Sequence, residues 1–263
     1  MRSAKDDQKL MTFGQHLEEL RLRLILVLAG LAVAFVVCFL GFGTAVFKLL
    51  WHPMAPILQE RNLTTQPIMT NVTAAFLIRL KASFVAAFVV CSPWVLYQMW
   101  AFIGAGLYRH ERRFVYILAP FSLGFFVAGV LFCYFVLLRY GLAFLIDQGI
   151  LMGVQPLITV NEYFGFVLSL MLVLGIAFQL PLVMMFLAKT GIVSIQAFRR
   201  RRRYAILAMV IAAAVFTPPD VVTQMLLAGP LIGLYELGIL LSRVRLGGRQ
   251  PAQARRSSKE VDL

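Results

Sequence analysis

The chain has 263 residues, of which 60% are hydrophobic and only 14% are charged. Soluble domains carry about a quarter charged residues, so this composition excludes a water-soluble globular protein and predicts an integral membrane protein. The formal net charge of +13 does not indicate a nucleic-acid partner, because the basic residues lie between apolar runs, where they mark one side of a membrane.

The N-terminal segment is polar and becomes amphipathic before the first apolar run. Residues 11–24 carry apolar side chains at spacings of three and four, which predicts a short helix with one apolar stripe. We expect this helix to lie at the membrane interface and to lead into the first span. Its charged residues lie outside that stripe: Glu18, Glu19, Arg21 and Arg23.

Six apolar runs follow, and each is predicted to be a membrane-spanning helix. They cover residues 24–47, 74–97, 114–138, 163–188, 204–217 and 221–241. The first four exceed the ~20 residues needed to cross the hydrocarbon core. The last two are short, and thinning of the bilayer or oligomerisation would accommodate them. The predicted fold is an all-α membrane bundle over residues 1–241, followed by a basic tail, 242–263, that we expect to be disordered.

The basic residues are concentrated on one side of the predicted spans. Twenty of the 25 Lys and Arg residues lie in the N-terminal segment, in residues 97–113, in residues 189–203 and in the tail. By the positive-inside rule, these four segments share the cytoplasmic side, so both termini are predicted to be cytoplasmic. The basic segments are also expected to contact anionic lipids.

Residues 97–113, YQMWAFIGAGLYRHERR, join the second and third spans as a predicted aromatic loop that ends in a basic cluster around one acid, Glu111. A carboxylate accepts two hydrogen bonds from one guanidinium, so Glu19 and Glu111 held at a fixed spacing can bind a pair of arginines. The alternative is that Glu19 pairs with Arg23 one turn later, and Glu111 with a neighbouring arginine. The sequence predicts either a cationic-peptide site or two internal ion pairs.

Two predicted spans, and the turn between the last two, hold polar side chains with more than one possible role. Gln179 lies mid-span shortly before Pro181, where it forms an interhelical hydrogen bond or belongs to a translocation or partner-contact site. Glu236 in the last span either pairs with Arg243 or belongs to a partner site. Asp220 caps the last helix, or forms a polar site with Gln224.

The sequence contains no recognisable catalytic or metal-binding pattern. The three cysteines lie inside apolar runs, and the three histidines are far apart along the chain. Metalloprotease, hydrolase, nucleotide-binding and redox motifs are absent from the sequence. We therefore expect a non-enzymatic protein without a metal or cofactor.

Several motifs, taken in order, resemble the TatC family, the receptor and core subunit of the twin-arginine protein translocase. They are HLEELRLRL at 16–24, SPWVLYQMWAFI at 92–103, LYRHERR at 107–113, FQLP at 178–181, TPPDV at 217–221 and YE at 235–236. Each motif is weak alone, but the ordered set, spread across six predicted spans, is specific.

The resemblance implies a concave, cup-like bundle in the bacterial cytoplasmic membrane. It implies twin-arginine signal-peptide binding at Glu19 and Glu111, supported by Arg21, Phe102 and Leu107. It also implies export of folded proteins driven by the proton-motive force, self-association, and docking of TatA-type and TatB-type single-span subunits along a polar intramembrane face. The residues matching that second set are Gln179, Gln224, Glu236, Asp220 and Pro56.

Two departures from the family pattern affect these expectations. Many members have Glu where this chain has Gln179, so that side chain is expected to form hydrogen bonds and not to titrate. Many have Pro where this chain has Ala105, so the 97–113 segment is expected to be less rigid. The other functions considered are a small-solute secondary transporter, which needs a polar site near the membrane midplane, and a purely structural scaffold.

Overall fold

The computed structural model describes residues 13–63, 68, 71, 73–107, 109–154, 157–218 and 220–243. The side chains of residues 13, 109–111 and 113 lie outside what it describes. The tail predicted to be disordered lies outside the described residues except for its first two positions, which are helical.

The described residues are almost entirely helical. In chain order the helices are α1 (Phe13–Val37), α2 (Gly43–Trp51), α3 (Met54–Glu60), α4 (Ala74–Ala105), α5 (Arg109–Phe132), α6 (Leu138–Leu151), α7 (Val160–Ala177), α8 (Leu180–Lys189), α9 (Ile195–Arg200), α10 (Arg202–Phe216) and α11 (Val221–Arg243). Two π-helical turns, Cys38–Phe42 and Cys133–Leu137, join α1 to α2 and α5 to α6. The predicted all-α class is confirmed.

Five stretches are long and apolar enough to cross a membrane. They are Gly14–Glu60, Ala74–Ala105, Phe114–Leu151, Val160–Lys189 and Val221–Arg243. The remaining predicted span is α10, whose 15 residues extend about 22 Å, less than the ~30 Å hydrocarbon core. The last helix, α11, has 23 residues. It continues two residues beyond the predicted boundary, and the Ser242 hydroxyl donates to the Gly238 carbonyl at 2.7 Å in its last turns.

The predicted loop at 97–113 is wrong, because most of it is helical. Helix α4 continues to Ala105 and α5 begins at Arg109. Arg112 stabilises this junction: its Nε donates to the Gly104 carbonyl at 2.8 Å and its terminal nitrogen to the Ala105 carbonyl at 3.3 Å. These bonds satisfy carbonyls that the end of a helix leaves without intrahelical partners. The turn between the second and third spans is therefore only three residues long.

The predicted loop after the third span is also helical over much of its length, because α6 extends to Leu151. A two-pronged ion pair holds α6 against α3: Arg61 Nε and its terminal nitrogen lie 2.5 and 2.8 Å from the two carboxylate oxygens of Asp147. Arg61 also donates to the Ile57 carbonyl at 3.1 Å. This ion pair fixes the segment that follows α3 against α6.

Arg79 is a cation inside the apolar stretch of α4, and its exposed side chain contacts the end of the first span. A π-helical turn disturbs the regular carbonyl-to-amide pairing of a helix, and Arg79 donates to the Phe39 carbonyl in the first such turn at 2.9 Å. Its guanidinium also lies 5.0 Å from the Phe39 ring centre. Arg79 therefore gives a hydrogen-bond donor to a carbonyl of the π-helical turn, and the turn gives the Arg79 guanidinium a polar partner within the span.

The centre of the bundle is the α7–α8 stretch. In its most hydrophobic window 61% of residues are buried, against 6% for the stretch containing α1. Phe164, Leu170 and Leu174 are completely buried. Helix α1, which packs along α4, therefore lies at the periphery with most of its apolar surface free for lipid or other proteins.

Gly129 on α5 marks a close approach to α7. A Cβ atom at this position would lie 2.9 Å from the Leu174 carbonyl oxygen and 2.9 Å from Phe178 Cγ. Gly124 on the same helix has open space at the corresponding point. Small residues at such crossings allow helix backbones to pack closely in membranes.

We expect Gly129→Ala to lower the thermal stability of the purified protein, whereas Gly124→Ala leaves it unchanged or raises it. Alanine gains up to about 1 kcal/mol of helix propensity at either position, but overpacking at Gly129 costs about 1–3 kcal/mol. Thermal aggregation in detergent, followed for both variants, measures the difference. Equal melting of the two variants would contradict the close approach.

Candidate functional site

Several contacts bring the predicted basic segments to one end of the bundle. The His16 ring on α1 stacks on Phe102 on α4, with ring centres 4.5 Å apart. The Tyr235 hydroxyl on α11 donates to the Phe198 carbonyl on α9 at 2.9 Å. Trp100, which is buried on α4, packs against Phe186 on α8. We call this end, formed by the start of α1, the α4–α5 turn and the α8–α10 connection, the basic end.

A cavity of about 270 Å³ opens at the basic end between α1, α4 and α5. It is lined by Glu19, Arg23, Tyr97, Trp100, Ala101, Gly104, Ala105, Arg112, Val115, Tyr116 and Ala119. The lining combines a carboxylate, two guanidinium groups and aromatic rings. It therefore offers both charged and apolar contacts to a peptide.

Glu19 is already bound to a guanidinium. Arg23 Nε and one terminal nitrogen each lie 2.8 Å from the same carboxylate oxygen, Oε1 of Glu19. The other terminal nitrogen of Arg23 donates to Gln98 Oε1 at 2.6 Å. The Glu19–Arg23 pairing, one of the two alternatives that the sequence left open, is present. The two side chains remain 23% and 27% exposed, so the pair is open to water.

Gln98 belongs to this site, and the sequence analysis missed it. Its side chain is only 2% exposed, and it connects α4 to Arg23 on α1. The signal was present, because Gln98 is a polar residue in a mostly apolar stretch, as Gln179 is. A loop over residues 97–113 would expose this amide to water, whereas the helical continuation of α4 buries it.

Glu111 lies in the first turn of α5, where a carboxylate is favoured by the helix dipole. Its side chain, like the whole of Tyr108, lies outside the described residues, so the spacing of the Glu19 and Glu111 carboxylates stays a prediction. The three residues expected to support signal binding are Phe102, Leu107 and Arg21, which lie on or next to the helices that form the cavity. Phe102 stacks on His16, Leu107 packs beside the buried cluster around Trp100, and Arg21 is exposed on α1.

Gln179 lies at the break between α7 and α8, and its amide is engaged on both sides. The Ser122 hydroxyl donates to Gln179 Oε1 at 2.5 Å, and Gln179 Nε2 donates to the Ser122 carbonyl at 2.9 Å. The predicted interhelical hydrogen bond is therefore present, with Ser122 as a partner that the sequence did not reveal. Phe178, the residue before Gln179, helps to line an apolar cavity of about 490 Å³ between α5 and α11.

Glu236 pairs with Arg202, and not with Arg243 as the sequence suggested. Arg202 Nε lies 2.5 Å from Glu236 Oε1. Arg243 is seven residues further along α11, about 10 Å along the helix axis, whereas α10 begins next to Glu236. A neighbouring helix therefore supplies the counterion.

Asp220 caps α11 as predicted. Its carboxylate accepts the Thr223 amide at 2.7 Å and also binds the Thr223 hydroxyl. Gln224 donates to the Val210 carbonyl at 3.2 Å and so joins α11 to α10. Pro56 is exposed on α3. Glu236 lies at the basic end, whereas Asp220, Gln224 and Pro56 lie away from it. The structure therefore does not gather the predicted partner-contact residues into one site.

Comparison with known proteins gives one family. The family model described as "Sec-independent protein translocase protein (TatC)" matches residues 15–230. The chain is 35% identical over 251 residues to the TatC protein of Desulforapulum autotrophicum, covering 95% of this chain and 91% of the relative. It is 34% identical to TatC of Escherichia coli K12, with 93% and 92% covered. A crystal structure described as the twin arginine translocase receptor TatC in DDM is similar at a TM-score of 0.79 and 36% identity, over 87% of this chain and all of that one.

Proposed function

The chain belongs to the TatC family of Sec-independent protein translocase proteins, and from this we propose that it is the subunit that binds twin-arginine signal peptides. It is a multi-pass membrane protein and a translocase component, not an enzyme. We further propose that the Glu19 cavity is where the signal binds, together with Glu111.

The observation that supports this most directly is the Glu19–Arg23 pair. It shows that the cavity accommodates a guanidinium on the Glu19 carboxylate, since Arg23 places two nitrogens 2.8 Å from Oε1. Tyr97, Trp100 and Tyr116 line the same cavity. A peptide whose arginines are followed by apolar residues matches both features.

We infer that the basic end faces the cytoplasm of a bacterial cell. Most of the Lys and Arg residues of the chain belong to segments at this end or to the tails that continue from it, and such a bias sets orientation in the membrane. Signal peptides emerge in the cytoplasm, so the Glu19 cavity would face its ligand. Transport driven by the proton-motive force is part of the same proposal.

TatA-type and TatB-type single-span subunits are the proposed partners. The apolar cavity between α5 and α11, lined partly by Phe121, Phe125 and Leu237, offers a surface for a membrane helix close to Gln179. A small-solute transporter is less well supported. Gln179, the polar residue predicted near the membrane midplane, already has its amide bonded to Ser122.

A photo-crosslinking amino acid in place of Ala105, which lines the cavity and leaves both carboxylates intact, tests the proposal. We expect a crosslink to a signal peptide with two arginines, and a yield about tenfold lower with two lysines, because lysine cannot form the bidentate contact. The same probe at position 60, an exposed residue of α3 away from the basic end, is the control. Equal yields with both peptides, or equal yields from both positions, would contradict the proposed site.

A further inference from the structure

Lys81 is an exposed cation within the apolar stretch of α4, away from the basic end. It lies seven residues after Ala74, the first residue of α4, which is about 10 Å along the helix. The nearby apolar side chain of Phe84 is 50% exposed. Its Nζ lies 3.4 Å from Asn161 Oδ1 on α7. Among the residues that the structure describes, no carboxylate lies within ion-pair distance of Lys81. A charge at the edge of the hydrocarbon is costly unless an anion compensates it.

A groove leads from Lys81 along the surface between α4 and α7. Its volume is about 360 Å³, and its lining is formed by Leu80, Lys81, Phe84, Val85, Gly165, Leu168, Ser169 and Leu172. The Ser169 hydroxyl already donates to the Gly165 carbonyl at 2.8 Å. Because the Ser169 hydroxyl is already bonded, the part of the groove beyond Lys81 presents a mainly apolar surface to its occupant.

The dimensions of the groove fit a hydrocarbon chain better than a helix. From Gly165 to Leu172 its lining follows α7 for about 10 Å, a third of the ~30 Å hydrocarbon core. A helix about 10 Å across would fill about 800 Å³ over the same length, about twice the volume of the groove. Gly165 keeps the floor open, because a Cβ atom there would meet nothing within 4 Å.

We propose that this groove binds an anionic phospholipid, with the headgroup phosphate on Lys81 and one acyl chain along α7. Phosphatidylglycerol fits the single uncompensated positive charge, whereas phosphatidylcholine brings its own cation. This site lies away from the basic end and does not depend on signal-peptide binding.

Photoactivatable phosphatidylglycerol with a diazirine in its acyl chain tests the proposal. The full chain is reconstituted in phosphatidylcholine vesicles with this probe, and labelled peptides are identified by mass spectrometry. We expect labelling of residues 163–175, reduced about fivefold in Lys81→Gln, the factor expected for one basic residue near anionic lipid. Gly165→Leu, which fills the groove, should reduce it to background.

Two matched variants control for the changes themselves. Lys48→Gln removes another exposed lysine from α2, and Gly229→Leu fills open space at an exposed glycine on α11. Both should leave labelling of residues 163–175 unchanged. The proposal is overturned if a phosphatidylcholine probe labels this segment as strongly, if Lys81→Gln has no effect, or if a photo-crosslinker at position 172 captures another polypeptide.

Discussion

Replacing Glu19 by glutamine is expected to reduce the affinity for a twin-arginine signal peptide at least about tenfold, since a hydrogen bond to a charged group contributes ~1.5–3 kcal/mol and 1.4 kcal/mol is tenfold. The substitution keeps the size of the side chain and removes the charge that receives the guanidinium. Arg23 would keep Gln98 as a partner, so we expect α1 to stay packed on α4.

Glu18 provides the control for this experiment. It precedes Glu19 on α1, is exposed, and does not line the cavity. Anisotropy of a fluorescent signal peptide, titrated with the purified protein, should show a large loss for Glu19→Gln and little for Glu18→Gln. If both variants lose affinity equally, the effect is a general electrostatic one. If neither does, Glu19 is not the binding residue.

Hydrophobic runs predicted the helices well, because lipid-exposed segments must satisfy their backbone hydrogen bonds internally and therefore form helices. The errors came at the ends of the runs. Residues 97–105 contain Gly104, are followed by Gly106 and lie close to a basic cluster, and these are ordinary loop signals. They remain helical because Arg112, on the following helix, bonds to the carbonyls at the end of α4. Periodicity within one segment does not contain that contact.

The candidate site was predictable only in part, for the same reason. Glu19 and its partner Arg23 are one turn apart, so the spacing predicted the pair. Gln98 meets Arg23 across 75 positions of sequence, and Ser122 meets Gln179 across 57. The pairing of Glu236 with Arg202 likewise needed the position of α10. Such contacts depend on how helices pack, which the residues of one helix do not determine.

Arg23 is expected to compete with the signal peptide, so Arg23→Gln should raise the affinity for a twin-arginine signal about tenfold. Arg23 occupies Oε1 of Glu19 through two nitrogens, and a partly exposed ion pair of this kind contributes up to about 1 kcal/mol. Removing it frees the carboxylate. It also removes a positive charge from the cavity, which is worth about 1 kcal/mol more at ~4 Å in water.

Arg199→Gln serves as the control, because Arg199 is exposed on α9 at the basic end and does not line the cavity. The same anisotropy titration should show a gain for Arg23→Gln that Arg199→Gln does not reproduce. A signal peptide with two lysines adds a second readout, because a carboxylate without its internal arginine should accept it more readily. Should Arg23→Gln weaken binding of both peptides, Arg23 would instead be holding Glu19 in the orientation that the signal requires, and Gln98 would be part of that support.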